Sequence, residues 1–454
     1  MLLSTGCPYS PGSAVTLTGM QTESSGSEGS TTMPTTGPVD SSSDATATSA
    51  STMTSNSSST ASTSDTGADD TTTTSGPDCE VDDDCNGAEL CVDGECMWCT
   101  DAPDPDAACA DASADAPYCD PTNGCAACVP SACSEDTPAC DPMVGCVACT
   151  EHAQCPDSAC HLMGPDVGRC FDIADVVEIS ALAEFETEIA NVGAGVQRVF
   201  RITDSLPDMG SYFVGGELAI LGGPGIVLSG GYTNLFAMSE GSLLYIASVD
   251  ITDGPNRAIR NDGDGLWLDD VTLADYPVGI LATVGETHLR RSRISASGAG
   301  SIAFDSAFSD GAAALIAENS VVGPGAESGL AVGGAVDLRY VTIVGNDTSI
   351  SCELSASGTV RNSIVAGATD ASISGCSYLS WIDDAVDTAS LGDQIGAYDG
   401  DWFVNAPAAD FHLSAAGQAA IGDIADWDDG DPLVDIDGDA RPMDMDGYPG
   451  VDEP

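Results

Sequence analysis

Lysine is absent from this 454-residue chain, whose 11 basic residues are all arginines and face 72 acidic residues, for a formal net charge of −61. A chain of this charge lacks the basic patches that neutralise phosphates, so we exclude an electrostatic binder of nucleic acid and expect little adsorption to anionic lipid headgroups. Mechanisms that need a lysine, such as Schiff-base catalysis and the P-loop, are excluded as well.

Aromatic residues and long apolar runs are also scarce. Aromatics make up 5% of the chain, while hydrophobic residues make up 42% and glycines number 51. A core must therefore be built from Ala, Val, Ile and Leu on a turn-rich backbone. Since no run of 18 apolar residues occurs, no transmembrane helix is predicted.

Cysteine is abundant, with 19 residues, which indicates an oxidising compartment. The composition changes twice along the chain. Residues 8–77 contain 36 Ser or Thr and are predicted to be a disordered linker. Residues 78–170 contain 16 of the cysteines, and residues 171–454 form the third region.

The first seven residues, MLLSTGC, read like the end of a signal peptide followed by Cys7. They resemble a bacterial lipobox, although Ser4 stands where leucine is usual and the upstream sequence is short. The resemblance implies export, acylation of Cys7 and membrane attachment through that lipid anchor only, and we expect the true start codon to lie further upstream. The alternative is an ordinary cysteine in a disordered leader.

The cysteine segment is an internal repeat, because PYCDPTNGCAAC at 117–128 returns as PACDPMVGCVAC at 138–149. The cysteines divide into four units: Cys79, Cys85, Cys91, Cys96; Cys99, Cys109, Cys119, Cys125; Cys128, Cys133, Cys140, Cys146; and Cys149, Cys155, Cys160, Cys170. Units of about 20 residues are too small to bury a core, so we predict two disulfides in each, of open connectivity. Zinc is the alternative, because C-x2-C recurs where one unit meets the next.

This pattern resembles the short Dickkopf-like cysteine-rich repeats of secreted bacterial proteins. The resemblance implies a spacer or binding module without catalysis.

A second repeat begins near residue 240 and has the alternation of β-strands. Its central apolar positions are separated by 22, 21, 27, 22 and 22 residues: Ile246, Leu268, Leu289, Ile316, Leu338 and Val360. A further apolar position recurs between them, at Ile259, Ile280, Ile302, Leu330 and Ile350. Turns of about 22 residues with three short strands predict a parallel β-helix, with corners at Gly254, Gly298, Gly325 and Gly345. An antiparallel β-sandwich, the other all-β architecture considered, would not keep one period across six copies.

The two ends of the β-helix are also expected to be capped. Residues 180–190 place Leu182, Phe185 and Ile189 on one face of a predicted N-terminal cap helix. The C-terminal cap resembles the closing segment of right-handed parallel β-helix proteins of the pectin-lyase-like superfamily, in particular the choice-of-anchor Q type. The matching residues are Asp410, Phe411, His412, Leu413, Ala420, Ile421, Asp435, Asp437, Gly438, Arg441, Pro442, Gly450 and Glu453. We therefore expect an all-β fold, a right-handed parallel β-helix solenoid over residues 171–454, preceded by the disulfide-rich segment and the linker.

The superfamily resemblance raises the alternative of a polysaccharide lyase or glycoside hydrolase. A lyase would need acidic Ca²⁺ ligands beside an arginine base. The nearest residues are Asp262, Asp264, Asp269 and Asp270 with Arg290, Arg291 and Arg293. The opposing interpretation is that these arginines partly neutralise an acidic surface. The hydrolase pattern is incomplete, because His288 stands in Thr-His-Leu and not in Gly-His-Gly.

Metal sites are weakly indicated. Asp435, Asp437 and Asp439 resemble the start of a calcium loop, but Ala440 stands where glycine should follow, so we expect no cofactor and keep Ca²⁺ as an alternative. His152, His161 and His412 lack metal-like spacing and are expected to be structural or solvated.

Two cysteines remain inside the β-helix. Cys352 and Cys376 are 24 residues apart, close to one turn, and stacked turns lie roughly 4.8 Å apart, within reach of a disulfide. We predict this disulfide, with two buried free thiols as the alternative.

Together these features predict an exported, lipid-anchored, monomeric protein of the bacterial cell envelope, an outer-membrane lipoprotein or a secreted protein. Its β-helix is expected to contact extracellular polysaccharide or a surface protein without catalysis.

Overall fold

The computed structural model describes residues 85, 89–92, 95–113, 115–121, 124–307, 309, 311–387, 393–406, 410–428, 430–441 and 446–451. Cys7, the linker 8–77 and Cys79 lie outside the described residues. The described chain is a disulfide-rich segment followed by a parallel β-solenoid, so the predicted all-β fold class is confirmed.

Each turn of the solenoid has up to three short strands, which stack in parallel on the next turn to form three faces. The first face contains Val176–Ile179, Gln197–Ile202, Glu217–Leu221, Leu243–Thr252, Gly265–Leu273, Gly285–Arg290, Ala313–Glu318, Ala335–Arg339, Ser357–Arg361 and Leu379–Ile382. The second face contains Leu206–Met209, Val227–Gly230, Arg293–Ile294, Val321–Val322, Thr342–Val344, Ile364–Ala366, Ala385–Val386 and Asp393–Gln394. Because Leu243–Thr252 and Gly265–Leu273 run through the corner, the two faces join into one 18-stranded sheet.

The third face is a separate eight-stranded sheet. Its strands are Tyr212–Val214, Asn234–Met238, Arg257–Asn261, Val278–Ala282, Ile302–Asp305, Ser328–Val332, Thr348–Cys352 and Ala371–Ser374. Inward side chains of all three faces form one continuous apolar core.

The strand register confirms most of the predicted core positions and corrects two of them. Leu289 pairs with Ala317 and not with Ile316, so the prediction for that turn was wrong by one residue. Leu315 and Ala317 point inward, and Ile316 lies beside His288 on the outer face. On the third face Phe304, and not Ile302, continues the inward column. In the first of these turns an alanine occupies the core position beside the larger Ile316. In the second, Ile302 and Phe304 are both apolar and two residues apart, so alternation alone does not tell which of them continues the column.

The corner after the first face depends on residues with positive φ that are not glycine. In seven successive turns one residue there has a φ between 45° and 55°: Ser248, Asp270, Arg291, Asn319, Tyr340, Asn362 and Asp383. Four of the seven are Asn or Asp, the types that tolerate this conformation best. Gly298, Gly325 and Gly345 have positive φ as predicted, but Gly254 does not. Gly254 is required for space, because a Cβ there would lie 1.7 Å from the Tyr276 ring.

The N-terminal end of the core is closed by the predicted helix, which runs Leu182–Ile189. Its Phe185 is fully buried and meets the rings of Phe200 and Tyr212 edge-on at 5.5 and 5.0 Å. Apolar spacing on one helical face thus places the helix across the first turns.

The described part of the cysteine segment contains three two-stranded hairpins and one short α-helix. The hairpins are Leu90–Val92 with Glu95–Met97, Tyr118–Asp120 with Gly124–Ala126, and Ala139–Asp141 with Gly145–Val147, and the helix is Pro105–Ala112. Disulfides join Cys85–Cys96, Cys99–Cys119, Cys109–Cys125, Cys128–Cys140, Cys133–Cys146, Cys149–Cys160 and Cys155–Cys170. Each of these bonds joins the first cysteine of a predicted unit to the third, or the second to the fourth. Cys91 is disulfide-bonded as well.

One more disulfide links neighbouring turns of the solenoid. Cys352 and Cys376 are bonded, and their Cα atoms are 4.9 Å apart. Cys352 ends a strand of the third face and Cys376 follows the strand of the next turn. The bond therefore ties the last two turns of that face together.

The C-terminal segment lies along the side of the solenoid. It contains the strand pair Phe403–Asn405 and Asp410–Leu413, the helix Ala415–Ile421, and the pair Ala425–Asp426 and Asp446–Gly447. Its apolar side chains pack on the outward residues Val321, Val344, Ile364 and Ala385 of the second face. The predicted cap thus covers several turns from the side.

Arg441 anchors this segment. Its guanidinium is buried, stacks 3.9 Å from the Tyr340 ring and donates to the Asn319 side chain and to the carbonyls of Gly450 and Val451.

Candidate functional site

The outer face of the first sheet carries two neighbouring columns of functional side chains. One column runs Trp267, His288, Ile316, Asp337, and the other runs Asp269, Arg290, Glu318, Arg339, Arg361. Residues two apart on a strand point to the same side, so each turn contributes one member to each column.

One end of this face is covered by the fourth cysteine unit, residues 149–170. Its disulfides and Phe171 pack on the outward side chains of Val199, Ala219 and Tyr245. The Tyr245 hydroxyl donates to the Met163 carbonyl at 3.0 Å and lies 3.1 Å from the Glu217 carboxylate. The cysteine segment is therefore fixed to the solenoid through its last unit.

The other end is covered by the C-terminal segment. Arg361 forms ion pairs with Asp428 and Asp431, and Arg339 donates to the Gly430 carbonyl at 3.2 Å. Asn362 in the corner exchanges hydrogen bonds with the backbone of Asp426. This segment therefore ends the open part of the face near Arg339.

Between the two covered regions a groove of about 310 Å³ stays open. It is lined by Trp267, His288, Leu289, Arg290, Ile316, Glu318, Asp337 and Arg339. The Trp267 and His288 rings stack with centroids 4.6 Å apart, and the Arg290 guanidinium lies 5.9 Å from the Trp267 ring. The groove thus combines an apolar strip with a row of charges, as sites for small polar ligands commonly do.

Asp269 is the counter-ion of Arg290, which lines the groove. Its buried carboxylate lies 2.5 Å from an Nη of Arg290 and 3.0 Å from an Nη of Arg291. Arg290 also donates to the Thr150 carbonyl and lies 3.8 Å from Glu151, both in the fourth cysteine unit. Burial alone would lower the pKa of Arg290, but the hydrogen bond and charge of Asp269, with the nearby acidic residues, raise that pKa above its ordinary value.

Arg339 holds the two carboxylates at the other end of the groove. It bonds Asp337 at 2.5 Å and Glu318 at 3.1 Å. The bond and charge of Asp337 raise the pKa of Arg339. Burial raises the pKa of Glu318, against the opposing effect of Arg339 and Arg290.

The residues considered for a lyase do not form one cluster. Asp269, Arg290 and Arg291 come together, but as ion pairs. Asp270 is exposed beyond the corner and accepts a hydrogen bond from Ser248 at 3.0 Å. The other three residues are engaged at separate places: Asp262 with Arg260 and Thr283, Asp264 with the Gly241 amide, and Arg293 with Asp437. An arginine base needs a lowered pKa, and the shift at Arg290 has the opposite direction.

A larger cavity of about 750 Å³ lies where Met163 and Pro165 meet the starts of the first-face strands. Its acidic groups are used within the chain. Glu217 binds His161, Gln197 and Tyr245, and Asp175 pairs with Arg198 at 2.5 Å. The same is true of the smaller groove, but that groove also has the Trp267 and His288 rings in its lining, whereas none of the described residues that line the larger cavity is aromatic, so we place the candidate site in the smaller groove.

Two histidines stabilise the packing of the fourth cysteine unit on the solenoid. His152 is buried, and its Nδ1 accepts a hydrogen bond from the Cys160 amide at 3.1 Å. Burial lowers the pKa of His152 to about 4. His161 stacks on Phe171 at 3.7 Å and bonds Glu217 at 2.6 Å.

The predicted calcium loop folds into a turn. The Asp435 carboxylate accepts the backbone amides of Asp437 and Asp439 at 3.1 and 2.9 Å, while Asp437 lies beside Arg293 and His412. Among the described residues, groups of three metal-ligating atoms within 4.8 Å of one another consist of cysteines, and all of these are in disulfides. The structure thus does not bring the three aspartates together as a ligand set.

Sequence reasoning missed Trp267, Ile316, Glu318 and Asp337 as groove residues, and Thr150 and Glu151 as contacts of Arg290. The alternation of the strands places Trp267 and Asp337 on the outer face and could have indicated them, whereas the one-residue error in register hid Ile316 and Glu318. Nothing in the sequence places Thr150 and Glu151 beside Arg290, which is 140 residues away from Thr150.

Comparison with known proteins gives one match. Residues 62–176 match the model of a family of unknown function (DUF8331). The matched range covers the cysteine segment and ends at Val176, where the first solenoid strand begins. Searches of curated proteins and of solved structures found no match. In the described part of the chain, no helix has the length and hydrophobicity to cross a membrane.

Proposed function

We propose that this protein is an exported, lipid-anchored surface protein whose solenoid binds extracellular polysaccharide in the groove without cleaving it. The observation that carries the proposal is the open groove, in which Trp267, His288 and Ile316 form an apolar strip beside the ion-paired Glu318, Asp337 and Arg339. Sugar rings present both C–H faces and hydroxyl groups, so a surface of this kind suits them. The resemblance of the C-terminal segment to the pectin-lyase-like superfamily supports the same class of ligand.

Export is supported by the disulfides. Seven bonds between described cysteines of the cysteine segment, the further bond of Cys91 and the one in the solenoid suit an oxidising compartment, such as the outer surface of a bacterial envelope. Attachment would occur through Cys7, with the cysteine segment as the spacer that carries the solenoid.

The absence of catalysis is supported by the pairing of Asp269. Its carboxylate is occupied by two guanidinium groups, so neither a calcium ligand nor an arginine base is free at that point. Arg290 stays protonated and serves as a structural cation.

The test is a binding and turnover screen of the full chain against neutral and anionic polysaccharides. We expect at least one polymer to bind, with no new unsaturated or reducing ends. Trp267→Ala should weaken that binding at least tenfold, while Tyr232→Ala, which removes an aromatic ring that is 82% exposed outside the groove, should not.

Two results would contradict the proposal. One is equal weakening by the two alanine variants. The other is measurable turnover of a uronic polymer that Arg290→Ala abolishes, which would favour the lyase.

Attachment has a separate test. A chain with a full upstream signal should partition into detergent, and Cys7→Ser should release it in soluble form. Equal partitioning of both chains would exclude the lipid anchor and leave the groove unaffected.

A further inference from the structure

We propose that the groove selects uncharged polysaccharide chains and discriminates against uronic acid polymers. This inference rests on the proposed function and names the chemical class of its ligand.

The arginines of the groove are already neutralised by the protein's own acids. Arg290 is held by Asp269 and by the Thr150 carbonyl, with Glu151 3.8 Å away. Arg339 gives its Nε and one Nη to Asp337 and its other Nη to Glu318 and to the Gly430 carbonyl. Recognition of a carboxylate by arginine needs a fork of free N–H groups. Here the Arg339 fork is turned to Asp337, and the two Nη atoms of Arg290 are taken by Asp269 and Thr150.

Acidic groups outnumber basic groups along the groove. Arg290, Arg291 and Arg339 face four carboxylates along this stretch, so one negative charge is left over: Asp269, Glu318, Asp337 and Glu151. Burial raises the pKa of Glu318, so its negative charge is only partly solvated. A uronate placed beside it would bring a second negative charge close to the first, and like charges repel more strongly where solvation is incomplete.

The carboxylates that can be reached from the groove suit hydroxyl donors. The Glu318 and Asp337 side chains are 29% and 36% exposed, so their carboxylate oxygens can be reached from the groove. Ionised carboxylates only accept hydrogen bonds, and sugar hydroxyls supply the donors. The Trp267, His288 and Ile316 strip beside them offers apolar surface for the C–H faces of the rings.

The experiment compares matched polymers. Glucans, mannans and galactans are each tested with the full chain beside the same polymer oxidised at C6 to the uronate, at physiological salt. We expect a neutral polymer to bind and its oxidised form to bind at least tenfold more weakly. Asp337→Asn frees the Arg339 fork and should narrow that ratio. Glu353→Gln, which removes a charge from an exposed turn of the third face, should leave it unchanged.

The outcomes are distinguishable. An oxidised polymer that binds as tightly as its neutral parent, or more tightly, would overturn the selection for uncharged chains and keep the groove as a polysaccharide site. A ratio that Asp337→Asn and Glu353→Gln change equally would also overturn it. No binding to any polymer of either kind would overturn the proposed function itself.

Discussion

Asp269→Asn should destabilise the solenoid by about 2–4 kcal/mol, whereas the same change at its neighbour Asp270 should cost less than about 0.5 kcal/mol. Asp269 is 5% exposed at its side chain and accepts from both Arg290 and Arg291. Breaking a buried ion pair costs about 3–5 kcal/mol. The value is lower here because the two arginines are 22% and 31% exposed and regain some water.

The two variants make a matched pair, since each replaces one carboxylate by an amide of the same shape on adjacent residues. Denaturation in guanidinium chloride, followed by circular dichroism, measures the free energy of unfolding for each. Equal losses of unfolding free energy in the two variants would refute the assignment of Asp269 as a structural counter-ion. Asp269 would then again be a candidate for a catalytic or metal-binding role.

Three further predictions concern the disulfide of the solenoid, the packing of the fourth cysteine unit on the solenoid, and the pH dependence of stability. Replacing both Cys352 and Cys376 by serine opens a 24-residue loop and should cost about 3.5 kcal/mol, measured as above; no loss would contradict it. Removing the fourth cysteine unit should expose the apolar surface on which it packs. A chain of residues 149–454 should therefore remain monomeric, while residues 171–454 should bind a hydrophobic dye and melt several degrees lower. Identical behaviour of the two chains would refute the packing of this unit on the solenoid. Folding lowers the pKa of His152 from 6.5 to about 4, so between these pH values the unfolded chain binds a proton that the folded chain does not. The free energy of unfolding should therefore fall by about 3 kcal/mol from pH 6.5 to 4. His152→Gln should remove this part of the pH dependence, and an unchanged dependence of the free energy of unfolding on pH would refute the prediction.

The period of the solenoid could be predicted from the sequence, because inward residues repeat with each turn and leave a spacing that survives substitution. Its register could not be predicted everywhere. Ala317 occupies a core position that a large apolar residue usually fills, and Ile316 beside it carries the stronger hydrophobic signal. Corners were predicted from glycine, but most turns use residues such as Asn319 and Tyr340 with positive φ.

The candidate site was predicted only in part. Arg290, Arg339 and Arg361 belong to successive or alternate turns of the repeat, and the structure places them in one column. The lining of the groove also belongs to the repeat, but the contacts that hold its two arginines come from distant parts of the chain. Thr150 reaches Arg290 from the cysteine segment, and Gly430 reaches Arg339 from the C-terminal segment. Contacts of this kind depend on how segments dock and leave no periodic signal.

The central claim is that polysaccharide binds in the groove on the outer face of the first sheet, and carbodiimide labelling of carboxylates tests it most directly. Labelling is read by mass spectrometry with and without a saturating polysaccharide. The account predicts that the ligand protects Glu318 and Asp337, while Glu353 on the third face is labelled equally in both samples. Protection of Glu353 with no change at Glu318 and Asp337 would contradict the account.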